Sequence, residues 1–130
     1  MKAFEIKVNG KVLDYRKTIK LDLEQVKNFF EEKNYIVKKI WQRERHVLGI
    51  LQKNDKNMFL KLATTEGIGA VTQIDYNWNR QFNDIVSRKT DFWVPQNIES
   101  GFYKNKLFYM IIEYFEGPLY AKKPKKDKVE

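Results

Sequence analysis

The run Leu107–Ile112 constrains the fold more than any other part of the chain. Its six consecutive residues, Leu-Phe-Tyr-Met-Ile-Ile, are all apolar or aromatic. Such a run is typical of a central strand that is buried on both faces. Glu116-Gly117-Pro118 follows soon after and breaks the pattern. We therefore expect a sheet built around this strand.

Five segments have the residue pattern of strands. They are residues 35–43, 47–52, 58–63, 97–103 and 107–114. The first three predict an antiparallel meander, with a charged connection at Gln42–His46 and a polar turn at Asn54–Asn57. Lys104-Asn105-Lys106 predicts the turn between the last two.

A hairpin and a helix are predicted ahead of these strands. Asn9-Gly10 lies between the alternating segments 4–8 and 11–15, and this dipeptide suits a two-residue turn that needs positive φ at both positions. Asp22, with Gln25 three residues later, predicts a helix start with a loose capping box, and Asn34 predicts its end. The helical apolar stripe is Leu23, Val26, Phe29 and Phe30.

A long helix is predicted between the third and fourth strands. Thr64–Gly69, with two glycines, predicts a loop, and an apolar stripe at helical spacing follows it. The stripe consists of Val71, Ile74, Trp78, Phe82 and Ile85. Arg88 and Lys89 suit the end of this helix. The expected fold is α+β: a five-stranded antiparallel sheet with this inserted helix, preceded by the hairpin and first helix.

Composition excludes several classes of protein. The 130 residues contain no Cys and one His, which rules out disulfide frameworks and zinc fingers and gives no sign of a metal site. No apolar run is long enough to span a membrane, and Met1–Asn9 does not have a signal peptide's apolar core, so we expect a cytoplasmic protein without membrane partners. The formal net charge is +8, part of it in the Lys-rich segment Lys122–Glu130.

Lys61 is the first candidate site residue. Alternation in the strand 58–63 places Met58, Leu60 and Leu62 on one face and Phe59, Lys61 and Ala63 on the other. A lysine inside an apolar strand is costly unless it has a partner or points to water. The sequence leaves two alternatives: a lysine that points outward from an edge strand or a solvent-facing strand, or a functional ammonium group.

Asp75 is the second candidate. It lies on the flank of the long helix's stripe, beside Ile74. Either it makes a local pair within its helix, or it forms an ion pair with Lys61 that holds the ammonium group charged and directed at a phosphate. The third feature is Met110–Gly117, in which an apolar strand leads into Glu-Tyr-Phe-Glu-Gly.

Taken in order, these features resemble the N-terminal lobe of the protein-kinase-like superfamily, and most closely its aminoglycoside and choline phosphotransferase branch. Phe59-Leu60-Lys61 is similar to the family strand that carries the nucleotide-phosphate lysine. Asp75 is similar in place to the helix acid, and residues 111–117 are similar to the strand and hinge that hold adenine. The resemblance covers roughly residues 35–119 and depends on order and spacing rather than on one strong motif.

The resemblance implies ATP as the ligand, with Lys61 at its phosphates, Asp75 orienting Lys61, Phe59 beside the base, and backbone groups of Glu113, Tyr114 and Phe115 on adenine. It also implies three regions: an extension at 1–34, the lobe at 35–119 and a disordered tail at 120–130. The predicted phosphate-covering connection has no glycine, and Phe59 stands where protein kinases prefer a small residue.

The family's catalytic and magnesium-binding residues belong to a C-terminal lobe that would follow Gly117, where this sequence has thirteen residues. We therefore expect no catalytic residue in this chain and no phosphoryl transfer by it alone. It would be either one lobe of a longer phosphotransferase or a free-standing relative. A C-terminal kinase lobe or a second copy of the chain is the expected protein partner.

Two alternatives to nucleotide binding remain. A nucleic-acid-binding module would use Tyr103, Tyr109 and Tyr114 for stacking, with Lys104, Lys106 and the tail on phosphates. A protein-interaction module without catalysis would use an unpaired sheet edge or an exposed apolar patch. Exposure of the tyrosines discriminates between the first alternative and a structural role for these rings.

Overall fold

The computed structural model describes residues 3–89 and 96–114, without the side chains of residues 78–89. Its elements are β1 (Glu5–Val8), β2 (Lys11–Asp14), α1 (Leu23–Glu32), β3 (Ile36–Arg43), β4 (His46–Lys53), β5 (Lys56–Ala63), α2 (Glu66–Lys89), β6 (Asn97–Tyr103) and β7 (Leu107–Glu113). The fold is therefore α+β, as expected. The predicted tail 120–130 and the end of the predicted lobe from Phe115 onward lie outside the described residues.

The strands form two antiparallel sheets. Strands β1 and β2 make the predicted N-terminal hairpin, with positive φ at Asn9 (50°) and Gly10 (80°). The other five strands form one sheet in the order β3-β4-β5-β7-β6. Strand β7 is flanked by β5 and β6, and its residues 108–111 are buried, which confirms the predicted central strand.

Helix α1 begins and ends as predicted, but its cap is simpler. Asp22 Oδ1 accepts hydrogen bonds from the backbone N–H groups of Glu24 and Gln25, at 3.0 and 3.2 Å. Gln25 does not complete a capping box, because its side chain instead accepts a 2.7 Å hydrogen bond from Lys104 Nζ. At the other end Asn34 has a φ of 71°, the left-handed conformation common after a helix.

The connection between β3 and β4 is shorter than the predicted Gln42–His46. The turn is Glu44-Arg45, with Glu44 at φ 53°, and Gln42 and His46 belong to the strands. Gln42 stays in its strand because its amide links β3 to the preceding segment. It accepts from Leu21 N–H at 2.9 Å and donates to the Ile19 carbonyl at 2.8 Å.

Helix α2 begins at Glu66, inside the segment predicted as a loop. Thr65 Oγ1 accepts from Ile68 N–H at 3.2 Å and caps the first turn. The two glycines permit close packing rather than a bend. A Cβ on Gly67 would lie 3.2 Å from Leu13 Cβ of the hairpin, and one on Gly69 would lie 3.2 Å from Phe108 Cβ of the sheet. The predicted stripe is wrong at Ile74, which is 59% exposed.

The sheet has two different faces, which we name after the helix that packs on each. The α1 face carries the apolar core: Val47, Leu51, Met58, Leu60, Leu62, Tyr103, Tyr109 and Ile111, packed against Val26, Phe30 and Tyr35. The opposite face, the α2 face, carries His46, Leu48, Phe59, Lys61, Ala63, Phe108 and Met110 by alternation and register. All candidate side chains on β5 lie on the α2 face.

Candidate functional site

Lys61 lies in the interior of the sheet, not on an edge. Strand β5 pairs with β4 on one side and β7 on the other, and Lys61 is directly opposite Leu48 and Met110. Its side chain is half-buried. This placement excludes an edge strand, whereas the half-buried side chain keeps part of its contact with solvent. Among the described side chains, those of residues 3–77 and 96–114, no carboxylate lies within ion-pair distance of the Lys61 ammonium group.

The structure does not bring Asp75 to Lys61. Asp75 is exposed and forms no ion pair with the lysine. The physical reason is the rotation of α2 about its axis. Its buried residues Ile68 and Thr72 are four apart, and their line continues to Tyr76, whose ring packs on Phe108 at 5.9 Å between centroids. Asp75, three residues after Thr72, lies to the side of that line.

The ionisable side chain beside Lys61 is His46 on β4, not the predicted Asp75. Its Nε2 lies 2.8 Å from Thr72 Oγ1, and Thr72 Oγ1 donates its own hydrogen to the Ile68 carbonyl at 2.9 Å. Since the threonine hydroxyl has one hydrogen, the ring must donate to it from Nε2. The neutral ring is therefore the Nε2–H tautomer, and its Nδ1 carries the lone pair.

The surroundings of His46 disfavour its protonated form. The pKa of His46 is lowered to about 4 by burial first, then by the positive charges of Lys61 and Arg45. Arg43, which is exposed, lies opposite His46 on β3. In the described part of the chain, neither arginine is ion-paired. This end of the α2 face is therefore a cluster of positive charge, with His46 among it.

Sequence reasoning missed His46 and Thr72. They are 26 residues apart, so no local periodicity connects them. One signal was present in the sequence. The single histidine of the chain stands at the start of an apolar strand, close to two arginines, and a charged turn between two strands does not require a histidine. The family resemblance makes that stretch a phosphate-covering connection and gives the histidine itself no role.

Phe59 lies where predicted, on the face of Lys61. It is half-buried, pairs with Ile50 and Ile112 across the sheet, and makes an edge contact with Trp41 at 6.4 Å between ring centroids. Lys39 Nζ in turn lies 4.9 Å from the centre of the Trp41 ring. Phe59 is thus part of an aromatic surface that continues onto β3.

The predicted hinge is only partly described. The Glu113 N–H donates to the Gln96 carbonyl at 3.0 Å, and the Glu113 carboxylate accepts from the Gln96 N–H at 2.8 Å. These bonds join the end of β7 to the start of β6, so the Glu113 N–H is already used. Tyr114 is half-buried, and Phe115 lies outside the described residues.

A cavity of about 870 Å³ lies at the hinge end of the sheet. Glu113 and Tyr114 line it together with Tyr35, Lys53 and Glu99. Neither Lys61 nor Asp75 is among its lining residues. The cavity is therefore adjacent to the predicted adenine position but separate from the lysine.

A carboxylate between two tyrosines closes the α1 face at this end. Tyr35 Oη donates to Glu99 Oε1 at 2.7 Å and Tyr109 Oη to Glu99 Oε2 at 2.8 Å. Burial, followed by these contacts with Glu99, raises the pKa of both tyrosines. Gly101 makes room for the Tyr109 ring, since a Cβ there would lie 2.8 Å from Tyr109 Oη. No sequence pattern connects these residues, which come from three strands or strand ends.

Two of the three tyrosines proposed for nucleic-acid stacking are buried, and the third, Tyr114, is half-buried. Tyr103 is 4% exposed and Tyr109 is 2% exposed, and both rings pack edge-on against Phe29. Tyr103 and Tyr109 therefore pack in the core, which is the structural role that stands opposite to nucleic-acid stacking. Lys104 and Lys106 are exposed, but they contact Gln25 and Glu66.

Comparisons with known proteins add no family. Among the described residues, no group of three or more His, Asp or Glu is arranged to hold a metal ion, and no helix is long and apolar enough to cross a membrane. No protein-family model, curated protein or solved structure matches this chain.

Proposed function

We propose that this chain is the nucleotide-binding N-terminal lobe of a kinase-like small-molecule phosphotransferase. One observation carries the proposal: Lys61 is held in the interior of a sheet, on the face that α2 covers, with no acidic partner in the described part of the chain. A half-buried ammonium group without a counter-ion is favourable only if an anion completes it or water reaches it.

The architecture supports the same proposal. Helix α2 follows β5 and precedes β6, so it is inserted between the third and fourth strands of the five-stranded sheet. The predicted hinge follows β7, the central strand, and begins beside the first residues of β5. Lys61 therefore lies on the face that α2 covers, and the predicted hinge begins at the end of a strand that pairs with β5.

The proposed roles differ in two respects from those that the resemblance implied, at Asp75 and at Glu113, whose N–H is bonded to the Gln96 carbonyl. Lys61 contacts the nucleotide phosphates, Phe59 lies beside the base, and backbone groups from Tyr114 onward contact adenine. Asp75 is exposed and does not orient the lysine. The orientation of Lys61 comes instead from its position between Leu48 and Met110. Magnesium binding and phosphoryl transfer require the catalytic residues of a second lobe.

Calorimetric titration with ATP, with and without Mg²⁺, tests this function. We expect saturable binding that weakens about tenfold to a hundredfold in Lys61→Met, because a charge-assisted hydrogen bond is lost while the side chain's apolar length is kept. Lys38→Met, at an exposed edge position, is the matched control and should bind ATP as the parent does. Absence of binding, or equal losses in the two variants, overturns the proposal.

The salt dependence of binding distinguishes the proposed nucleotide site from nucleic-acid binding. A nucleotide site should respond to Lys61→Met at every salt concentration. Binding of an RNA oligonucleotide that falls steeply with salt and is indifferent to Lys61→Met would identify a general polycation effect of the +8 chain instead.

A further inference from the structure

We propose that His46 is a second phosphate contact beside Lys61, and that phosphate binding there is coupled to uptake of one proton by this histidine. The inference rests on the proposed function, because Lys61 supplies the fixed charge at the same place. Its geometry, however, is independent of the family resemblance, which makes Gln42–His46 a phosphate-covering connection but gives the histidine side chain no role of its own.

The first step is the distance between the two groups. His46 pairs with Ala63 and Leu48 pairs with Lys61, so His46 and Lys61 are diagonal neighbours on one face of an antiparallel pair. Such neighbours have Cα atoms about 7 Å apart, within reach of one polar group that lies between their side chains. A single phosphate can therefore contact both.

The second step is the direction of the free ring nitrogen. Nε2–H is committed to Thr72, whose hydroxyl is itself fixed by the Ile68 carbonyl. In the described part of the chain, Nδ1 has no partner. Protonation of Nδ1 would give a donor whose ring is already held in place, which favours binding by reducing the entropy lost on contact.

The third step is the charge around the ring. The ionisable side chains around His46 are Arg43 on β3, Glu44 and Arg45 in the turn, and Lys61 on β5, with Asp75 exposed one turn farther along α2. Lys61 and Arg45 oppose protonation of His46 in the free protein. A bound phosphate offsets these positive charges, so it reduces that opposition and favours the imidazolium form.

The consequence is a linkage between pH and affinity. If the bound state has the higher His46 pKa, affinity rises as pH falls from above the bound pKa toward the free pKa. The limit for one proton is a tenfold change per pH unit. Above the bound pKa the ring stays neutral, and affinity no longer depends on it.

The single histidine gives a direct measurement. We would follow the imidazole nitrogens by ¹H–¹⁵N NMR from pH 3.5 to 8, in the free protein, with ATP and with inorganic tripolyphosphate. The free protein should show the Nε2–H tautomer and a midpoint near pH 4. Saturating ligand should raise the midpoint by one pH unit or more. An unchanged midpoint with both ligands overturns the inference.

A matched variant supplies the second readout. His46→Gln keeps an amide N–H that can reach Thr72 but cannot be protonated, so the affinity for tripolyphosphate should lose its rise between pH 7 and pH 5. Lys7→Ala, which removes one exposed charge from the N-terminal hairpin, controls for net charge and should keep that rise. A slope that persists in His46→Gln also overturns the inference. The wild-type NMR titration needs no variant to fold.

The two proposals fail in different ways. If ATP binds through Lys61 but the His46 midpoint does not move, the nucleotide function stands and the proton-linked contact is wrong. If ATP does not bind but tripolyphosphate raises the midpoint, the site is an anion site without an adenine subsite, and the proposed function is wrong.

Discussion

The two faces of the five-stranded sheet use adjacent residues for opposite purposes. On the α1 face, Leu60 and Leu62 are fully buried in an apolar core. On the α2 face, the intervening Lys61 is half-buried and has no acidic partner in the described ranges. One strand therefore carries both the packing that stabilises the fold and the charge that we assign to ligand binding. Alternation along one strand, rather than a division into domains, therefore separates the residues that stabilise the core from the lysine that we assign to ligand binding.

The largest expected difference between the two faces comes from substitutions at two adjacent residues of β5. Leu60→Ala should lower the free energy of unfolding by about 2–5 kcal/mol, because it leaves a cavity in a fully buried position. Lys61→Met should change it by less than about 1 kcal/mol, since an apolar side chain of similar length replaces an uncompensated charge. Urea denaturation followed by circular dichroism measures both. Equal losses would show that Lys61 is structural.

A smaller effect is expected at the edge of the α1 face. Gly101→Ala should cost about 1–3 kcal/mol, since the added Cβ would lie 2.8 Å from Tyr109 Oη and the buried ring must move. Ser100→Ala, next in the strand and exposed, is the control and should be nearly neutral. Thermal unfolding of the two variants provides the measurement. A neutral Gly101→Ala would mean that the Tyr109 ring is not held over β6.

The tyrosine pair on Glu99 should make the α1 face sensitive to alkali. The pKa values of Tyr35 and Tyr109 are raised in the folded state, so stability is fully present below about pH 10 and falls as pH rises above it. Tyr35→Phe should cost about 1–2 kcal/mol at pH 7 and should reduce the alkaline loss. Denaturation curves at pH 7 and at pH 10.5 compare the two. An alkaline loss as large in Tyr35→Phe as in the parent contradicts the assignment.

The smallest effect concerns His46 and acid. Its folded pKa is lowered to about 4, so between the ordinary value and pH 4 the unfolded chain binds the proton that the folded chain excludes. Stability should therefore fall by about 1 kcal/mol more in the parent than in His46→Gln as pH decreases from 7 to 4.5, after allowance for the exposed part of the ring. Acid titration of unfolding in the two proteins measures this difference. The same loss in both would show that the ring protonates freely when folded.

Much of the fold could be predicted because its signals are local. Alternation defined the strands, Asn9-Gly10 the hairpin turn and Asp22 the helix start, and the structure confirms each of these. The start of α2 could not be predicted in this way. Glycines at 67 and 69 indicated a loop, whereas their actual role depends on the hairpin and the sheet that approach the helix.

The candidate site was predicted only in part, for a related reason. Strand alternation correctly placed Lys61 on the face opposite the buried core. Whether Asp75 would reach Lys61 depended on the rotation of α2 about its axis. Ile68 and Thr72 determine that rotation, and the stripe through Ile74 indicated a different one. A periodicity identifies a helix more reliably than it identifies which of two overlapping faces is buried.

The position of β7 has a consequence for the order of folding. Strand β5 pairs with β4 on one side and with β7 on the other. Since α2 and β6 lie between β5 and β7 in the sequence, the second pairing joins distant segments of the chain. Residues 36–63 can assemble through short connections, but the β5–β7 pairing must wait for a long loop to close. Until then the backbone N–H and C=O groups on one side of β5, over Met58–Leu62, are an unpaired strand edge. The β6–β7 hairpin thus completes the sheet and also ends the interval in which the chain is most exposed to pairing with another copy.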